Sequence, residues 1–233
     1  MHPVDAALFR PVRTGNAFEE TVERLLSAIR LGVVRVGERL PAERDLAVKL
    51  GVARVTLREA IHALAEAGYV ESRRGRYGGT FVTTPPEPST LATRTPVGQL
   101  DDVLILRQVL ETGAAEQAAA RTLAPDERRH LSDCLAEASA ASLADYRRAD
   151  SRLHLAIAEV TASAALTQAL ADARMRVNDL LDHIPLLPLN IEHSNAQHDL
   201  IVSSILGGDP DTARATMAEH LDGTAALLRG FLL

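Results

Sequence analysis

The chain has 233 residues, 46% of them hydrophobic and 24% charged, with a net charge of −6, the composition of an ordinary globular protein. No stretch approaches the roughly 18 uninterrupted apolar residues of a membrane span; Asp5 and the lack of an early apolar segment argue against a signal peptide. A single cysteine, Cys134, excludes an internal disulfide framework, so a soluble cytoplasmic protein is expected.

Charge is unevenly spread. Residues 1–83 carry thirteen Lys and Arg against ten Asp and Glu, and the remainder twelve against twenty-one. A basic front on an acidic back fits a chain in which one region meets phosphate, although so small a surplus also arises by chance. Val22, Leu25, Leu26 and Ile29 recur at helical spacing across residues 17–31, and Gly32 ends that run. Pro41 reads as a first-turn proline of a second helix that stops at Gly51. After the turn Gly51-Val52-Ala53, the stripe Leu57, Ile61 and Leu64 predicts a third helix, closed by Gly68. Tyr69–Arg73 and Thr80–Thr83, around Gly75, Gly78 and Gly79, predict a β-hairpin. From Thr83 to Gly98 the chain is rich in Pro, Thr and Ser and reads as a linker. The expected organisation is a first domain over 12–83, a linker over 84–98 and a second domain over 99–230. Helices are predicted in the second domain over 99–121, 125–143, 145–161, 163–184, 188–206 and 210–231. The breaks fall at Pro125, Pro185, Pro188 and Gly207-Gly208-Asp209-Pro210, and the expected fold is a mainly α chain ending in a helical bundle.

Two helices joined by a tight glycine turn and followed by a β-wing make a winged helix-turn-helix, whose second helix enters the DNA major groove by its N-terminal end. That end carries Ala53, Arg54, Val55, Thr56 and Arg58. Arg54 and Arg58 lie one turn apart, and a guanidinium fork suits phosphate or the guanine edge. Thr56 can bond phosphate, and Ala53 and Val55 offer apolar contact only. Arg44 stands near the start of the preceding helix, and Arg73, Arg74 and Arg76 surround the wing glycines. On spacing alone, the same arginines could simply solvate a helical face.

The runs Gly37-Glu-Arg-Leu-Pro-Ala-Glu-Arg-Asp-Leu-Ala, Leu50-Gly-Val-Ala-Arg-Val-Thr-Leu-Arg-Glu-Ala-Ile and Gly75-Arg-Tyr-Gly-Gly-Thr-Phe-Val resemble the GntR family of winged-helix regulators over about residues 18–83. The resemblance implies operator binding through Arg44, Arg54, Thr56 and Arg58, with Gly78 or Gly79 at a wing tip near the minor groove. Ala53 stands where the family usually has Ser or Thr, so one hydroxyl contact is lost there.

In the second domain, Asp150 and His154 share a helix face, and His198 and His220 lie on the last two predicted helices. Three imidazoles and a carboxylate suit a first-row divalent ion such as Zn²⁺, Ni²⁺ or Mn²⁺. Among the eight histidines, His193 competes for such a role, and a histidine on an amphipathic helix is often a plain core or surface residue. Leu106-Arg-Gln-Val-Leu-Glu-Thr-Gly-Ala-Ala-Glu-Gln-Ala-Ala, Asp150-Ser-Arg-Leu-His154, Gln197-His198-Asp-Leu-Ile and the run Gly208 to His220 resemble the FCD domain of the FadR subgroup of GntR regulators. The resemblance implies that Asp150, His154, His198 and His220 hold a divalent metal that seats a small carboxylate effector. By the same comparison, Arg107 pairs with that carboxylate or makes an internal salt bridge. Thr161-Ala-Ser departs from the family's Gly-Asn turn, which leaves the cap there open.

The function implied is a homodimeric, effector-responsive DNA-binding regulator, most often a repressor, and not an enzyme. A metalloenzyme and a metal sensor are the competing readings. The first lacks a marked nucleophile or general base, and the second would make operator affinity follow the metal alone.

Overall fold

The computed structural model describes residues 11–12, 15–75, 78–84 and 97–233. Arg76 and most of the predicted linker, residues 85–96, lie outside the described residues. Nine helices and two strands are present among those described, in two compact units.

The first unit opens with α1 (Ala17–Arg30), α2 (Glu43–Leu50) and α3 (Arg54–Glu66), followed by β1 (Val70–Arg73) and β2 (Gly79–Val82). Phe18, Val22, Leu25, Leu26 and Ile29 form the buried face of α1, which packs on α3, and Leu46, Leu57 and Leu64 are buried in the same unit. The helix stops because Gly32 takes a left-handed φ of 68° that other residues adopt at a cost. Gly51, at 67°, caps α2 in the same way and sets the tight turn into α3. Pro41 differs from expectation. It precedes Ala42, the residue flanking α2, and so stands outside the first turn. Acidic Glu43 and Asp45 occupy that turn, where the helix dipole favours them.

The strands pair antiparallel, with Val70 opposite Val82 and Arg73 opposite Gly79. A third segment joins them. Leu40 N–H donates to Thr80 O at 2.8 Å and Val82 N–H to Glu38 O at 2.9 Å, so residues 37–40 line the free edge of β2. That pairing shortens the exposed strand edge.

His183–Leu187 and Asp222–Leu233 also cluster with the first unit. The last helix lies against α1 along two glycines seven residues apart. A Cβ on Gly223 would stand 2.9 Å from Asn16 Oδ1, and one on Gly230 would stand 2.9 Å from Glu23 Cα. Phe231 meets Tyr69 edge-on at 5.7 Å, and Arg30 donates to the Phe231 carbonyl.

The second unit holds α4 (Val97–Ala119), α5 (Pro125–Ala140), α6 (Tyr146–Glu159), α7 (Ala164–Leu181), α8 (Pro188–Gly207) and most of α9 (Pro210–Leu232). Its core is aliphatic. Ala114, Ala115 and Ala118 on α4 let Leu131, Leu153, Ile157, Leu170, Ile201 and Met217 close in from the surrounding helices. After α6 the chain turns through Ala162, whose φ of 58° is left-handed. The departure from a glycine turn is accommodated by side chains. Thr161 Oγ1 donates to Ala158 O at 2.6 Å, and Ser163 Oγ accepts from Leu166 N–H at 3.3 Å as the cap of α7.

Candidate functional site

The first unit presents its arginines to solvent. Arg44 and Arg58 are 81% and 60% exposed, and Arg54, Arg73 and Arg74 are also exposed. Val55 projects outward from the first turn of α3, while Thr56 is half-buried. Arg58 Nε donates to Glu43 Oε2 at 2.7 Å, and Arg44 Nε lies 3.4 Å from Asp45 Oδ1. These are surface pairs, each worth little, which phosphate can displace. Arg39, Arg44, Arg54 and Arg73 line one cleft between α2, α3 and the hairpin. Arg39 was not singled out in the sequence, because it falls between two predicted helices; the pairing of residues 37–40 with β2 is what brings it to the wing. Gly78 and Gly79 have internal reasons to be glycine. A Cβ on Gly78 would strike the Arg73 carbonyl oxygen at 2.4 Å, and one on Gly79 would strike Arg39 Nε at 2.5 Å.

The second unit gathers charge inside. Asp150 and His154 come from α6, His198 from α8 and His220 from α9; one ligand atom from each lies within 4.8 Å of all the others. All four residues are buried, and the imidazole rings stand 4.5 to 5.4 Å apart. His193 is exposed and outside this group.

A second layer orients the four. His154 Nδ1 lies 2.5 Å from Glu111 Oε2, and its Nε2 faces Asp150 Oδ1 on the other side of the ring. His220 Nδ1 is 3.2 Å from Gln197 Oε1, an acceptor that holds the proton there and frees Nε2. Arg174 Nη2 donates to Asp150 Oδ2, while Oδ1 faces His198 Nε2 at 3.5 Å and His154 Nε2 at 3.8 Å. Arg107 Nε donates to Glu111 Oε1 at 3.1 Å, the internal salt bridge that was one of its two expected roles.

Burial acts first on Asp150, Glu111, His198 and His220. Alone it would raise the Asp150 carboxyl, but Arg174 and then the three imidazoles outweigh it and hold Asp150 far below the usual carboxylate range. Glu111 is held low in the same manner, chiefly by Arg107 and His154. Burial pushes His198 down to about 3, and burial with His198 beside it lowers His220 well below its ordinary value. His198 and His220 are thereby kept neutral, each with a lone pair to offer. His154 Nε2, His198 Nε2 and His220 Nε2 are buried without a hydrogen-bond partner among the described residues, as are Arg107 Nη1 and Arg174 Nε and Nη1. Buried nitrogens converging on one carboxylate without hydrogen bonds are what a metal would satisfy, so the donor set fits a divalent ion.

Glu111, Gln197 and Arg174 had no role assigned from sequence. Arg174 did leave a signal: it sits on the buried stripe of α7, between Ala173 and Val177. A charge on such a stripe needs a buried partner.

Residues 18–82 match the gntR family of bacterial regulatory proteins, and residues 102–223 match the FCD domain. Over 230 residues the chain is 31% identical to RmpR of Mycobacterium gastri, described as an HTH-type transcriptional regulator, covering 94% of this chain and 82% of that one. A regulatory protein of Escherichia coli strain K12, named for the L-lactate dehydrogenase operon, is 31% identical over 228 residues, or 91% of this chain and 86% of that one. Among solved structures, E. coli McbR/YncC aligns with a TM-score of 0.52 at 21% identity, covering 91% of this chain and 96% of that chain, a likeness of fold alone.

Proposed function

Since the chain belongs to the GntR family of bacterial regulators and carries an FCD domain, it is a DNA-binding transcription regulator and not an enzyme, and we propose that it is a repressor governed by a small carboxylate seated beside a divalent metal. The observation that carries the proposal is the buried set Asp150, His154, His198 and His220, with its three unsatisfied Nε2 atoms.

These four side chains hold the ion, a member of the Zn²⁺, Ni²⁺ or Mn²⁺ class by its nitrogen-rich ligands. A bound ion supplies positive potential and open coordination positions for an incoming oxygen. Glu111, Arg174 and Gln197 keep the ligand atoms aimed inward, and Arg107 offers its unpaired Nη1 to the effector. The name of the E. coli relative, drawn from a lactate dehydrogenase operon, supports an organic acid as the effector class.

At the other end, Arg54 and Arg58 read base edges from the start of α3, with Val55 beside them. Arg44, Thr56 and Arg74 meet phosphate, and Gly78 and Gly79 let the wing backbone approach the duplex. The protein acts as a homodimer, because one winged helix covers too little DNA for a specific site and paired half-sites need two-fold symmetry.

The test is a titration of labelled duplexes from around the protein's own gene, beside a scrambled duplex, at fixed salt, with and without a chelator. The expected result is preference for one segment by about a thousand-fold or more, changed by metal and organic acid together. Operator affinity that follows the metal and ignores every acid would replace the effector reading with a metal sensor.

A further inference from the structure

The effector site, taken as a metal seat, carries charges that can be counted. Four ionised side chains are enclosed beside the histidines: Arg107 and Arg174, each 2% exposed, Glu111 at 1% and Asp150 at 8%. They balance within the chain. Arg107 is bound to Glu111, Arg174 is bound to Asp150, and Arg174 Nη1 stands 3.6 Å from Glu111 Oε1. Imidazoles ligate a metal in neutral form and add nothing to the sum.

A divalent ion breaks this balance and leaves two positive charges in a place shielded from water. Buried charge without a partner is strongly disfavoured, so the loaded site selects ligands that return it to neutrality. The donors point the same way. Arg107 Nη1 and Arg174 Nε and Nη1 are enclosed without a hydrogen-bond acceptor, and guanidinium groups bind carboxylate oxygens through charge-assisted bonds. Glu111 binds Arg107 Nε through Oε1 at 3.1 Å and faces His154 Nδ1 through Oε2 at 2.5 Å, so the unsatisfied donor and the metal ligands share one neighbourhood.

We propose that the effector is a dicarboxylate, a compact dianion with one carboxylate on the metal and the other on the free N–H groups of Arg107. The inference rests on the metal reading above and goes past it by assigning charge. A monocarboxylate leaves one positive charge unmatched, and a diacid of the same carbon count removes it.

The experiment uses the full chain, stripped with chelator and reloaded with zinc, nickel or manganese, whichever calorimetry shows it takes up. Malonate is then titrated against propionate, succinate against butyrate and glutarate against valerate, with L-lactate and inorganic phosphate as further arms. Metal content is measured after each run, because diacids can extract metal. At least one diacid is expected to bind about tenfold or more tightly than its monoacid and than L-lactate, with no such preference in the metal-free protein. In Arg107→Lys, which keeps the charge and loses the fork, the preference shrinks while metal uptake stays. Equal or tighter binding of the monoacids or lactate to the loaded protein overturns the proposal, as does phosphate binding more tightly than every diacid, or no diacid binding at all. Failure to take up any metal sinks the function reading and this inference together; uptake with equal affinities sinks the inference alone.

Discussion

Arg44 and Arg58 hold their guanidinium groups in solvent on single surface carboxylates, whereas Arg107 and Arg174 are enclosed with Glu111 and Asp150 and retain N–H groups that bond nothing. The residue type is the same and the energetics are opposite. In the first unit a neighbouring Asp or Glu is a weak, replaceable partner, so the charge stays available to a polyanion. In the second, each charge is tied to another by desolvation, and losing one strands the rest. Surface arginines thus tune binding with little effect on folding, and buried ones are bound up with the stability of the bundle.

That contrast can be broken most forcefully at Glu111. Glu111→Leu leaves two enclosed arginines with one carboxylate and should cost about 3–5 kcal/mol in urea unfolding of the full chain. A loss no larger than that of a typical surface substitution would mean that water reaches the network. Next in size is the metal. Reloading stripped protein at a hundredfold excess over Kd should add about 2.7 kcal/mol of stability, read as a rise in Tm that His198→Ala abolishes. An unchanged Tm in the wild type would remove the ion from the account.

On the exposed side, Arg54→Ala or Arg58→Ala should lower operator affinity by about 1–3 kcal/mol and leave the urea midpoint where it was. Arg44→Ala should weaken binding to operator and scrambled duplex alike and reduce the salt slope by about 1. If Arg58→Ala instead destabilises the fold, its bond to Glu43 is structural and the contrast blurs. The smallest effect is expected at the turn after α6. Ala162→Gly removes a left-handed strain and should stabilise the chain by about 0.5–1 kcal/mol, measured as a shift in urea midpoint at constant m.

Hydrophobic period and glycine punctuation made the helices legible in the sequence, because both are local. The predicted run 17–31 became α1 (Ala17–Arg30), and 210–231 became α9 (Pro210–Leu232). Non-local features escaped. Residues 37–40 are too few to show a strand period, and their partners lie some forty positions away on β2. Asp150 and the three histidines were visible as residue types, and the fold brings them together. Arg174 was not, since a charge is read by default as facing water and its partner Asp150 lies on a different helix. The cap at Thr161-Ala-Ser was open because hydroxyls and glycine solve the same turn by different chemistry.

The glycine seam on α9 bears on how this protein can be dissected. Gly223 and Gly230 let the helix press onto α1, and Phe231 and Leu232 are buried there, though residues 224–233 lie beyond both matched family spans. A fragment cut at the linker would therefore lack a wall of its own reading head and expose Tyr69 and part of α1. A fragment of the second region alone would trail an apolar, sticky end. Fusing the N-terminal piece of the first unit to its Asp222–Leu233 piece through a short artificial loop is the route to a minimal DNA-reading module.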